Sequence, residues 1–272
     1  MKKIIAFLTA CSTAFFLGAC SDQVAGDKSL EDILNESITT MEELKSYTMD
    51  QEMEQQLGMT GEESVTMNMN MTSEIHQDPM LLFQTMSMDM FGETLSYESY
   101  FSEEHGFYIE DPMMGQWIKY PDSLVTELMD LEAQMSPEDQ LMTLQQYISD
   151  LSLTTDNDSY IINLTGEDVD MQAIFEQLSG LFGDGMGEMD ELLSEMIIDE
   201  LEYEIVIDKD TMYQTEATVK MAFTMDLMGE AISTTQNMHI KFSNFNELDF
   251  IEIPEDVINN AVEMSEEDLF GF

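Results

Sequence analysis

Residues 65–71 read Val-Thr-Met-Asn-Met-Asn-Met, and residues 80–90 read Met-Leu-Leu-Phe-Gln-Thr-Met-Ser-Met-Asp-Met. Apolar and polar residues alternate in both runs, so every second side chain falls on one side of an extended chain. Asp78-Pro79 stands between them and reads as the turn. The apolar sides are largely methionine: Met67, Met69 and Met71 on one strand, Met86, Met88 and Met90 on the next. Strands of this kind belong to an antiparallel sheet with one face covered and one face wet.

The period of two extends in both directions. Upstream, Tyr47, Met49, Met53 and Leu57 share a face, and a Thr-Gly turn follows within residues 58–63. Downstream, Phe91-Gly92-Glu93 turns into a strand carrying Leu95, Tyr97 and Phe101. Glu104-His105-Gly106 turns into Phe107-Tyr108-Ile109, and residues 111–115 turn into Trp117-Ile118-Lys119. About six short strands joined by local turns are the pattern of a meander. The final third repeats it. Leu201, Tyr203, Ile205 and Ile207 alternate with acids; Ala217, Val219, Met221, Phe223, Met225 and Leu227 line one face of the next strand. After a turn at Gly229-Glu230, Ile232, Met238, Ile240 and Phe242 line another. A hairpin at residues 151–164 brings the total to about ten strands.

Helical spacing fills the remainder. Ser29 is placed as an N-cap with Asp32 three residues on, followed by Leu30, Ile33, Leu34, Ile38, Met41 and Leu44, which predicts a helix ending near Lys45. Pro121-Asp122 opens a segment with Leu124, Val125, Leu128 and Leu131. Ser136-Pro137-Glu138-Asp139 is a helix start with proline at its first position and acids in its first turn; Leu141, Leu144, Ile148 and Leu151 continue it. Met171, Ile174, Phe175, Leu178, Leu181 and Phe182 form a further apolar stripe. A glycine-rich link at residues 183–187 leads to Met189, Leu192, Leu193, Met196 and Ile197, and Ile253-Pro254-Glu255-Asp256 starts a short closing helix. The expected fold is α+β: one strongly curved antiparallel sheet, a half-barrel, with amphipathic helices covering its concave face. Residues 29–264 form a single domain, and residues 265–272 an acidic tail.

The N-terminus reads as an address. Lys2 and Lys3 precede an uncharged apolar run at residues 4–16, shorter than the roughly 20 residues that span a bilayer. Leu17-Gly18-Ala19-Cys20 then has the form of a bacterial lipobox. Residues 1–19 are expected to be a lipoprotein signal peptide, Cys20 the lipidated first residue of the mature chain, and residues 21–28 its tether. Two acyl chains on Cys20 hold a protein stably where one is marginal. The expected location is the outer face of the cytoplasmic membrane.

Charge excludes several functions. The 272 residues carry 57 acids against 8 bases, all lysine, for a net charge of −49. A chain without a cationic field does not bind nucleic acid through its phosphates. Two cysteines, one of them in the expected leader, make neither a disulfide scaffold nor a zinc module. Screening by salt outside the cell makes such a charge tolerable. A cation-binding surface is the alternative, but Asp156-Asn157-Asp158, Asp208-Lys209-Asp210 and the acids at 188–191 lack the ligand spacing of a calcium loop. The Asp208 group reads as a turn between strands. His76, His105 and His239 belong to no metal or catalytic motif, and neither a nucleophile elbow nor a phosphate loop occurs. No catalytic residue, cofactor or metal is expected, and the protein is not expected to be an enzyme.

One stretch is more specific. Tyr203-Glu204-Ile205-Val206-Ile207-Asp208-Lys209-Asp210-Thr211 precedes two long strands, then Lys241-Phe242-Ser243-Asn244-Phe245-Asn246 and Ile251-Glu252-Ile253-Pro254. In this order the chain resembles an uncharacterised family of Gram-positive lipoproteins within the lipoprotein-carrier superfamily, the LolA/LppX-like fold. The resemblance implies a half-barrel of antiparallel strands closed by helices, with an apolar cavity for acyl chains or peptides. It carries over no catalytic residue.

Methionine occurs 27 times. A methionine core is the simplest account. A wall that adapts to varied apolar ligands is the second, since the side chain is flexible and polarizable. Soft-metal binding is the third, because thioethers suit Cu(I). Trp117, Phe107, Tyr108 and Tyr120 are ordinary core or a stacking rim. The leading expectation is a membrane-anchored lipoprotein holding a lipid or other apolar ligand, with Met67, Met69, Met86, Met88, Met221, Phe223 and Met225 as cavity wall. The alternatives are a sensor or interaction lipoprotein with a packed core, whose acidic surface meets a cationic wall or secreted partner, and a methionine-rich Cu(I)-binding lipoprotein.

Overall fold

The computed structural model describes residues 24–25, 28–59, 64–90, 92–123, 125, 136–165, 197–227 and 230–265. The signal segment, Cys20, the residue 60–63 and 228–229 turns, Leu124, Leu128 and Leu131, the stripes at 171–182 and 189–196, and the tail beyond residue 265 lie outside them.

Two short strands, β1 (Val24–Ala25) and β2 (Lys28–Ser29), pair with each other in the stretch read as tether. Ala25 packs on the core, and Lys28 Nζ meets Glu36 at 2.5 Å. Helix α1 (Leu30–Glu42) follows, its N-terminus closed by a capping box between Ser29 and Asp32. It ends before Lys45 because the Lys45 N–H donates to Asn246 Oδ1 at 2.7 Å, which draws the chain out of the helix.

The strands then run as β3 (Ser46–Met59), β4 (Val65–Gln77), β5 (Met80–Met90), β6 (Glu93–Ser102), β7 (Gly106–Glu110) and β8 (Trp117–Lys119). Helix α2 (Pro137–Gln145) leads to β9 (Leu151–Thr155) and β10 (Ser159–Thr165). The third set is β11 (Ile197–Asp208), β12 (Gln214–Leu227) and β13 (Glu230–Ser243), followed by α3 (Glu255–Asn260) and β14 (Val262–Glu263).

Strands β3 to β14 form one large open curved sheet of twelve strands in the order β14-β8-β7-β6-β5-β4-β3-β13-β12-β11-β10-β9. Two meanders thus meet at its centre, where β3 pairs with β13 from Thr48↔Ser243 to Met59↔Ile232. The expectation of about ten strands, all antiparallel, is corrected at one edge. There β14 pairs parallel with β8, and two residues are too short to show a period. Helix α2 stops at Gln145 instead of running on through Leu151. Gln146 and Tyr147 donate to Thr143 and Leu144 in tight turns, and Leu151 pairs with Leu164 as the start of a strand. Ile197 begins β11 rather than closing a helical stripe.

Helical cover is smaller than expected. Among the described residues, α1 and α2 pack on one end of one face. Ile33, Leu34 and Met41 of α1 and Leu141 and Leu144 of α2 share a buried cluster with Tyr47, Met49, Ile75, Leu82, Phe101, Ile162, Ile205, Ile207 and Phe242. The Gln145 amide donates to Asn35 Oδ1 at 2.8 Å and joins the two helices. The chain after β13, including α3, crosses the opposite face. His76 Nε2 lies 3.0 Å from the Asp249 carbonyl, and Leu81, Tyr108, Ile251 and Val257 are buried apart from the main cluster.

Candidate functional site

Strand alternation sorts the sheet into two chemically distinct faces. The face under α1 carries Tyr47, Met49, Gln51, Met53, Gln55 and Leu57 from β3, and Val65, Met67, Met69, Met71, Ser73 and Ile75 from β4. Strand β5 adds Met80, Leu82, Gln84, Met86 and Met88; β6 adds Leu95, Tyr97, Ser99 and Phe101. Ala217, Val219, Met221, Phe223 and Met225 come from β12, and Ile232, Thr234, Gln236, Met238, Ile240 and Phe242 from β13. None of these side chains is charged, in a chain with 57 acids; Glu93, opposite Met90 at the exposed strand end, is an acid on this side. The other face carries Asp50, Glu52, Glu54, Glu74, Glu98, Glu202 and Glu204 among threonine and asparagine.

Register arranges the uncharged face in rows. Val219, Met238, Met53, Met69, Met88 and Leu95 lie directly opposite one another across six strands. The next row toward the helices is Ala217, Ile240, Gln51, Met71, Met86 and Tyr97. Beyond it lie Phe242, Met49, Ser73, Gln84 and Ser99, where the Gln84 amide donates to Ser73 Oγ at 3.2 Å and accepts from Ser99 Oγ at 3.1 Å. Burial grades along these rows. Ile33 and Leu82 are inaccessible, whereas Met53, Met67, Met69, Met86, Met88, Met221, Met225 and Met238 are half-buried. Burial is uneven rather than one-ended: Met71, Met221 and Met238 pack against the core, and Phe223 and Thr234, farther along the same face, are buried.

All seven residues expected as cavity wall lie on this face. Phe223 differs from the rest in being buried. Met53, Met238 and Met71 complete the same rows and were not in the expected set. Met53 and Met238 show the same alternation in sequence, but their place beside Met69 is a matter of strand pairing. Cys20 lies outside the described residues.

Two polar groups on this face stand out. Tyr203 Oη donates to Gln140 Oε1 at 2.8 Å, and burial pushes its phenol pKa up. Gln51 is 6% exposed, and its Oε1 has no partner.

The four aromatic residues read as a rim divide between the faces. Phe107 and Tyr120 meet edge-on at 5.5 Å against the main core, while Trp117 meets Tyr100 on the acidic face and Tyr108 is buried there. They form no single platform, because Phe107 and Tyr108 are neighbours on one strand and point opposite ways.

The acid clusters within the described residues cap their own turns. Asp208 Oδ1 accepts from the Thr211 hydroxyl and from the Asp210 and Thr211 amides, and Asp156 Oδ1 accepts from the Asp158 and Ser159 amides. These bonds hold both carboxyls below the usual range, the Thr211 hydroxyl contributing most at Asp208 and the Ser159 amide at Asp156. Lys209 N donates to the Asp158 carbonyl at 2.9 Å and ties the two turns together. Among the described residues no group of three histidine, cysteine or acidic side chains is arranged to hold a metal. His76 sits against Asp249, and His239 Nε2 lies 3.0 Å from Glu216 Oε2.

Three hollows lined by described residues lie on the acidic face. One of them, about 370 Å³, is walled by Glu52, Glu54, Asn68, Asn70, His239 and Lys220, with Met53 and Met238 also lining it.

Fold and face together define a class of protein: a long, open, mostly antiparallel sheet with one side rich in methionine and poor in charge among the described residues. The chain belongs to a family of unknown function, DUF6612, which matches residues 29–262. Among solved structures it is similar to a DUF1329 family protein from Desulfovibrio piger, at 11% identity and a TM-score of 0.25, over 83% of this chain and 95% of that one. It is also similar to a LolA superfamily protein from Nitrosomonas europaea, at 8% identity and a TM-score of 0.24, again over 83% and 95%. A beta-barrel-like protein of domain of unknown function DUF1849 from Brucella abortus is similar at 7% identity and a TM-score of 0.22, over 74% and 98%. None of the curated proteins matches the chain.

Proposed function

We propose that this protein is an extracytoplasmic lipoprotein, anchored through Cys20 to the outer face of the cytoplasmic membrane, that holds the acyl chain of a lipid against its methionine face and catalyses no reaction. The observation that supports this reading is the sheet face whose rows of half-buried methionine carry no charge. Half-buried methionine presents apolar area without a fixed shape, which suits chains of varied length. Ten methylenes withdrawn from water contribute about 8 kcal/mol before the cost of ordering the ligand.

Lipid extraction tests this. The anchored protein, purified from membranes in mild detergent, is expected to release roughly one acyl lipid per chain beyond its own anchor, read by mass spectrometry. The Met69→Asp/Met221→Asp variant is expected to release none while retaining its circular dichroism. A wild-type protein that releases none, and takes up no fluorescent fatty acid, would overturn the proposal. The anchor is tested separately: Cys20→Ser is expected to abolish incorporation of labelled palmitate.

The hollow between Glu52, Glu54, Asn68 and Asn70 favours a second reading, in which the acidic face meets a cationic wall or secreted partner. Binding of that kind weakens steeply between 0.05 and 0.5 M salt, on the order of the Debye screening of exposed charges.

A further inference from the structure

The row containing Met238, Met53, Met69 and Met88 differs from an ordinary apolar row in one respect. It places four thioethers on four successive strands, β13, β3, β4 and β5, at directly opposed positions. Opposed residues in antiparallel strands have Cα atoms about 4.5–5.5 Å apart, closer than the roughly 6.8 Å between i and i+2 on one strand. Sulfurs from neighbouring strands therefore converge more readily than those of the Met67-x-Met69-x-Met71 motif. All four side chains are half-buried, so the row is reachable yet shielded. The adjacent row is less available: Tyr97 Oη donates to Met86 Sδ at 2.6 Å and engages that sulfur.

We propose that this row is a binding site for a soft monovalent cation, Cu(I) or Ag(I). Met53 and Met69 are its central ligands, and Met88 or Met238 supplies a third sulfur. The ligand set decides the class of ion. Thioethers are neutral and soft, so they bind Cu(I) and Ag(I) and offer little to Zn²⁺, Ca²⁺ or Mg²⁺. No imidazole or carboxylate stands in this row: His76, His239, Asp50, Glu52, Glu54 and Glu74 lie on the other side of the sheet, and Glu93 stands opposite Met90, one row nearer the strand ends. The chain's charge of −49 draws cations toward the molecule in general. The ion enters as the monovalent species and leaves as such, so uptake needs no oxidant or reductant.

The test is anaerobic titration with Cu(I) buffered by a chromophoric chelator, in parallel with Ag(I) titration followed by the methionine ε-methyl NMR signals. Wild type is expected to take up one ion per chain, shifting the Met53 and Met69 methyls most. Met53→Leu/Met69→Leu keeps volume and apolarity, and is expected to lose about tenfold or more in affinity. Met67→Leu/Met71→Leu, which removes the same-strand neighbours, is expected to change affinity by less than about threefold. No uptake by wild type, or equal loss in both double variants, would overturn the assignment. Fatty-acid uptake by metal-free wild type is measured separately: uptake without Cu(I) or Ag(I) binding overturns this assignment and leaves the lipid reading standing, and the reverse result does the opposite.

Discussion

At the scale of single residues, Glu138 shows how burial and charge compete. It sits in the first turn of α2, where the helix dipole favours an anion. Its Oε2 is buried without a partner, while the Gln77 amide donates a long 3.4 Å bond to Oε1 and the Ser136 side chain also favours the anion. Burial is the larger effect and lifts the carboxyl above its ordinary 4.5. A raised acid is better tolerated protonated, so its ionisation costs stability above the folded value, and that cost disappears below 4.5, where the folded and unfolded forms are both neutral. Glu138→Gln is therefore expected to raise stability at pH 7 by up to about 1 kcal/mol, allowing for its partial exposure. The gain should vanish near pH 4, as read by chemical denaturation at the two pH values. Asp208 has the opposite sign. Its depressed value contributes stability that is lost as pH falls through it. The pattern around Asp208 was legible as a turn because aspartate, lysine and threonine lay between two periodic runs. The strain on Glu138 was not, because Ser136-Pro137-Glu138-Asp139 has the form of an ordinary exposed helix start.

Among elements, the same face changes character along one strand. In β3, Tyr47 and Met49 are buried under α1, while Met53, Gln55 and Leu57 are half-buried. Leu34 of α1, wholly inaccessible, belongs to the packed end. Its replacement by alanine is expected to cost about 2–5 kcal/mol, as cavities in close-packed cores do. Met69→Leu, at the half-buried end, is expected to cost less than about 1.5 kcal/mol. Urea unfolding followed by Trp117 fluorescence measures both, and equal losses would mean that the face is packed to one density throughout. The C-terminal connection owes its path to particular side chains. Asn244 and Asn246 adopt positive φ of 53° and 60°, which asparagine tolerates better than most residues. Phe245 stacks on Tyr213 at 4.4 Å, and Asn246 accepts from Lys45. The Asn-Phe-Asn string thus closes the end of the sheet by joining β13 to the start of β3.

For the whole molecule, charge sets the response to the medium. Fifty-seven acids face 8 lysines, and the ion pairs Lys28–Glu36, Lys220–Glu202 and His239–Glu216 are exposed or partly exposed. Such pairs contribute little, so screening them costs little. Self-repulsion is the larger quantity. Raising salt from 0.01 to 1 M shortens the Debye length from about 30 Å to about 3 Å. The melting temperature is expected to rise across that range, and a fall would mean that specific ion pairs outweigh repulsion. The segregation of faces fits this: acids crowd the wet side because the part of the other side that α1 covers is packed with apolar side chains.

Periodicity alone determined the longer strands, their inward residues and most turns between them, because a period of two is a local consequence of backbone geometry and one-sided burial. Capping residues determined the starts of α1 and α2 in the same local way. Strand order was decided only in three dimensions. That β3 lies between β4 and β13, bringing Met53 and Met238 beside Met69, depends on pairing between residues nearly two hundred positions apart. So does the arrival of β14 parallel to β8 and the passage of α3 over the acidic face. Alternation says which side a residue faces; only the register says which residue stands next to it.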